Sequence, residues 1–123
     1  MTGFVWVCLG AGVGAPARYL ADRAVQRRHE SVMPWGTLMV NLTGSLALGV
    51  LVGLTDGRGV PSAVMLLVGA GFCGAFTTFS TLAYETLRLI ETARWRDALA
   101  AVTVNVAGGL CAALAGYALG GLA

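Results

Sequence analysis

Charge is scarce in this chain. Only 11% of its 123 residues are charged, less than half of the roughly one quarter usual in soluble domains, and 57% are hydrophobic, with a mean hydropathy of +0.77. An ordinary soluble domain is excluded. A spanning helix needs roughly 20 apolar residues, so the length holds four such helices with short connections and no soluble domain besides. Four short helices supply little wall for a pore, which predicts an oligomer, and the length argues for a dimer. Cysteine is scarce too: Cys8, Cys73 and Cys111 are odd in number, far apart and each inside an apolar run, which argues against a disulfide framework or a metal site. They read as inert packing residues. The N-terminus, Met1-Thr2-Gly3-Phe4, lacks the basic residues that precede the core of a cleavable signal peptide, so the first helix is expected to stay. All eight basic residues are arginine, without the interleaved aromatics of a nucleic-acid surface.

A carboxylate at the centre of a span is also missing. Asp22, Glu85 and Glu91 fall near predicted helix ends, whereas a small four-helix carrier exchanging protons for cations needs an intramembrane acid. A small multidrug-resistance-type transporter is disfavoured on that ground, and a resistance assay would separate it from other readings.

What is present centres on one polar knot, Gly71-Phe72-Cys73-Gly74-Ala75-Phe76-Thr77-Thr78-Phe79-Ser80-Thr81-Leu82, inside an apolar segment. Glycines loosen the backbone there and hydroxyls compete for its hydrogen bonds, so the pattern predicts a break in the third helix. In hydrocarbon, freed carbonyls are tolerated where protein buries them or where they line a cavity or ion site. A hydroxyl-lined helix contact is the other reading of the same residues.

The chain reads as an all-α membrane protein, one four-helix transmembrane domain over residues 1–123, with helices at about 4–25, 35–54, 61–90 and 98–119. Gly10-Ala11-Gly12-Val13-Gly14 in the first helix, and Gly49 and Gly53 in the second, permit close approach by neighbours. His29, in the polar first connection, reads as solvated, and Asn105 is the only amide of the fourth helix. Arg23, Arg27, Arg28, Arg88, Arg94 and Arg96 lie toward the first and third connections, against Arg58 alone on the other side. The positive-inside rule then puts loops 26–34 and 91–97 in the cytoplasm and both termini outside, in one fixed orientation.

Asn41 is the most informative residue outside the knot. An amide deep in lipid must be paired or face water, and Thr37, one turn earlier, shares its helix face. A row of donors attractive to anions and a set of interhelical hydrogen bonds both fit. Arg18 either snorkels to the interface or makes a vestibule attractive to anions.

Three stretches, Gly12-Val13-Gly14-Ala15-Pro16-Ala17-Arg18-Tyr19, Gly36-Thr37-Leu38-Met39-Val40-Asn41-Leu42-Thr43-Gly44 and the knot itself, resemble the Fluc/CrcB family of fluoride channels in order and spacing. The resemblance implies an antiparallel, dual-topology-type dimer in the plasma membrane, with narrow fluoride pores and a structural, untransported sodium ion. Main-chain carbonyls of Gly74 and Thr77 would hold that sodium. Asn41, Phe79, Thr37 and Ser80 would line the fluoride pore, with Arg18 at its vestibule, and the ring edges of Phe79 would face the anion. The chain departs from the family pattern at Leu82, where a second phenylalanine is expected, and at Gly109 and Ala113, where hydroxyl residues are expected.

The resulting expectation is a fluoride-selective channel subunit, not an enzyme, exporting fluoride passively to relieve its toxicity. An antiparallel assembly of a fixed-orientation subunit requires a second chain inserted oppositely, so the arginine bias points to a heterodimer with a paralogue. A homodimer with altered pores and a non-conducting partner subunit are the other assemblies the departures allow.

Overall fold

The computed structural model describes residues 2–28 and 33–122; His29 and the rest of 29–32 lie outside them. Four segments are long and apolar enough to cross a membrane. They are helix α1 (Thr2–Arg28), helix α2 (Trp35–Arg58), a third span over Ser62–Glu91, and a last helix, Trp95–Leu122. The third span consists of α3 (Ser62–Val64), a π-helical stretch (Met65–Cys73), α4 (Gly74–Phe76) and α5 (Ser80–Glu91), which makes the last helix α6.

The helices outrun the apolar pattern. α1 continues through Arg27 and Arg28, in the last turn, where a cation meets the negative end of the helix dipole. α2 runs on past Leu54 to Arg58 and stops at Gly59, whose φ of 77° suits glycine. The connection expected over 55–61 therefore shrinks to 59–61. At 1.5 Å per residue even the 24-residue α2 is roughly 36 Å long, more than the hydrocarbon layer needs.

Two helix pairs make the bundle: α2 lies along α6, and α1 along the π-helical stretch. Both depend on missing side chains. A methyl added at Gly49 would overlap the Ala113 carbonyl, and one at Gly116 or Gly120 the carbonyl of Leu46 or Val50. With lipid outside, packing rather than hydrophobic exclusion holds such helices, and close backbones maximise it. Gly10 and Gly14 serve α1 in the same way against Leu67 and Phe72.

The π-helical winding lay outside the sequence reading. It turns Gly69, Gly71 and Cys73 inward, and the Gly74 N–H at its end bonds back to the carbonyls of Gly69 and Gly71. Cys73 is buried, as a packing residue should be, but Cys8 and Cys111 are exposed on the outside of the chain. An apolar run does not say which face of its helix meets a neighbour.

Met33, from the first connection, packs on Leu89, Ala98 and Ala101 beside the third. Both connections therefore lie at one end of the bundle. Trp35 and Trp95 begin α2 and α6 at that end, partly exposed, while Trp6 sits near the start of α1 at the other.

Candidate functional site

Between Phe76 and Ser80 the third span is not helical, and Thr77 is extended at φ −80°, ψ 158°. The causes are side chains. In a continuous α-helix the Thr78 N–H would bond to the Gly74 carbonyl; here it donates to Asn41 Oδ1 at 2.8 Å. The Thr81 N–H, which would meet the Thr77 carbonyl, donates instead to Thr78 Oγ1 at 3.1 Å, the i to i+3 bond of a helix N-cap. Gly74 and Thr77 carbonyls have thus both lost their helical donors. Thr77 Oγ1 turns back to the Cys73 carbonyl at 3.0 Å.

Asn41 locks the turn from α2. Because a backbone N–H can only donate and a carbonyl only accept, its Oδ1 must face the Thr78 N–H and its Nδ2 the Thr78 carbonyl, 3.1 Å away. The second Nδ2 proton goes to Asn105 Oδ1 at 2.8 Å, and Asn105 Nδ2 donates to the Ala101 carbonyl at 2.8 Å. One orientation satisfies every member. α2, the turn and α6 are joined through two amides, the interhelical alternative for Asn41.

Thr37 is buried and donates its hydroxyl to a carboxylate oxygen of Glu85, from α5. The row of donors on α2 is therefore occupied by protein acceptors. Asn41, Gly74, Thr77 and Phe79 share an open concavity of about 590 Å³, which Leu82, Ser45 and Asn105 also line. Phe79 is 81% exposed. Thr37 and Arg18 belong to a smaller cavity of about 160 Å³, with Asp22, Thr78 and Thr81. Ser80 is exposed and approaches Thr78 Oγ1 at 3.4 Å. The structure thus places Asn41, Gly74, Thr77 and Phe79 at one recess and Thr37 and Arg18 at another, with Thr78 lining both and Ser80 lining neither.

Of the departures, Leu82 is buried and lines the larger recess. A Cβ at Gly109 would stand 3.6 Å from Ser45 Oγ, and Ala113 is the backbone neighbour of Gly49. Sequence reasoning gave no role to Asn105 or Glu85. Asn105 could have been found by the argument used for Asn41, a lone amide in an apolar helix. Glu85 falls near the predicted end of its helix, where a carboxylate gives no sign of a buried partner.

Against known proteins, the family described as CrcB-like protein, Camphor Resistance (CrcB), matches residues 5–117. The chain belongs to the CrcB family. Its relatives include a Streptomyces avermitilis protein named fluoride-specific ion channel FluC 1, 52% identical over 110 residues, 89% of either chain. A Frankia casuarinae protein of the same name is 51% identical over 120 residues, 93% of this chain and 89% of its own. A Mycobacterium tuberculosis protein named fluoride-specific ion channel FluC 2 is 47% identical over 118 residues, 94% of this chain and 90% of its own. These CrcB relatives are named as channels, not enzymes, and their similarity extends across all four spans.

Proposed function

We propose that this CrcB family member is a subunit of a fluoride-selective channel through which fluoride leaves the cytoplasm passively. The observation that carries the reading is the near half-identity, over about nine tenths of the chain, to proteins named fluoride-specific ion channels. Fluoride is small and tightly hydrated, so a passage must replace its water with fixed donors and ring edges, yet bind weakly enough to release it. Phe79, with its electropositive rim, and the hydroxyl-rich turn stand at one recess. Arg18 stands at the other.

The non-helical turn serves, in this reading, as half of a sodium site. The Gly74 and Thr77 carbonyls fit a hard cation: both are oxygen donors freed of helical partners, and both residues line the open recess. Two carbonyls are too few for a cation alone, and a second, antiparallel subunit would complete the set. The exposure of Phe79 supports a covered face there, and the arginine distribution favours an oppositely inserted paralogue as that subunit.

Efflux from liposomes tests this. Chain reconstituted with an oppositely oriented family member should release fluoride but not chloride, and sodium should be required. Absence of fluoride efflux from that folded pair would overturn the channel reading, whereas efflux from this chain alone would leave it standing and remove the heterodimer. Leu82→Phe addresses the non-conducting alternative: restored conduction by the chain alone would identify the missing ring as the limiting defect.

A further inference from the structure

The outer face of α1 carries a basic recess that borders the smaller cavity of the candidate site at Tyr19, which lines both, and is otherwise built from its own residues. Tyr19, Leu20, Arg23, Ala24 and Arg27 enclose about 250 Å³ there. Spacing by four places Tyr19, Arg23 and Arg27 in one row along the helix. Arg23 Nη1 donates to the Tyr19 hydroxyl at 2.9 Å, with the guanidinium carbon 6.0 Å from the ring centroid. Arg23 is thereby held in place. Arg27 lies one turn on, and among the described residues the ion pair formed is that of Arg94 with Asp97, which leaves Arg23 and Arg27 without a carboxylate.

We infer that this row is a binding site for the phosphate of an anionic phospholipid, in the leaflet facing the first and third connections. Two guanidiniums on successive turns present forked donors that suit phosphate oxygens. The depth is right: Tyr19 lies about 13 Å along the axis from the end of α1, at 1.5 Å per residue, where an aromatic ring marks the boundary of acyl chain and headgroup. Arg23 and Arg27 reach outward from there as snorkelling side chains do. Leu20, 65% exposed, and Ala24 give the recess an apolar floor along which an acyl chain can lie. That floor selects a lipid over free phosphate, and the two arginines select an anionic headgroup over a zwitterionic one.

Native mass spectrometry of the detergent-purified chain tests this with dioctanoyl phosphatidylglycerol, dioctanoyl phosphatidylcholine and inorganic phosphate as probes. Phosphatidylglycerol should be retained over phosphatidylcholine by roughly tenfold or more, two basic residues each contributing to attraction for an anionic lipid. The double variant R23Q/R27Q should lose that preference, R58Q should keep it, and Y19F, which removes only the hydroxyl holding Arg23, should reduce it. Undiminished preference in both R23Q/R27Q and Y19F overturns the proposal. So does equal loss in R58Q, or full displacement by inorganic phosphate at matched concentration.

Discussion

Asn41 has no proton to spare. Both of its Nδ2 hydrogens and its oxygen are engaged, two of the bonds with the backbone of Thr78. Asn41→Ala would leave the Thr78 N–H and carbonyl unpaired in a low-dielectric interior, and should cost about 2 kcal/mol or more, read as a lowered unfolding midpoint in detergent. Asn105→Ala should cost less, because Asn41 keeps its hold on Thr78. The double variant should fall short of the sum, as expected of neighbours in one network. That Asn41 had to find partners was legible from a lone amide in an apolar span. Which partners was not, since they lie 37 and 64 residues away along the chain. Thr37 teaches the same lesson: its face on α2 could be read from spacing, but its acceptor, Glu85, comes from another element.

Among the elements, the third connection rests on an unfavourable residue. After α5, the Arg94 N–H bonds to the Leu89 carbonyl at 2.8 Å and the Ala93 N–H to the Ile90 carbonyl at 3.0 Å, the paired bonds of a Schellman ending. The pivot is Ala93, at φ 59°, where a Cβ is penalised and glycine is not. Ala93→Gly should raise stability by about 1 kcal/mol, detectable as a higher midpoint with conduction unchanged. At the turn, the missing side chain of Gly44 makes room for Thr77: a methyl there would overlap Thr77 Cγ2. Gly44→Ala should destabilise by about 1–3 kcal/mol, and on the sodium reading should raise the sodium concentration needed for fluoride efflux. Glycines and hydroxyls marked where the third span would depart from a regular helix. The π-helical winding upstream left no comparable mark, because a stretch apolar on nearly every side carries no period to read.

For the whole molecule, four membrane-capable helices followed directly from composition, but their ends did not: hydrogen bonding carries α2 on through Asp56 to Arg58, and α6 on through the glycines expected to end it, to Leu122. Orientation is a matter of arginines. With Cys8, Cys73 and Cys111 replaced by serine or alanine, a cysteine at Thr92 should resist an impermeant maleimide applied to intact cells, and one at Gly59 should react. The opposite pattern would reverse the assigned topology. The three tryptophans offer a second reading of it that needs no label. Trp35 and Trp95 share one end of the bundle and Trp6 marks the other, so the protein's own fluorescence is unequally divided between the two leaflets. Brominated lipid confined to one leaflet would darken two emitters or one, and the chain thereby carries a built-in optical compass for the direction in which it was inserted.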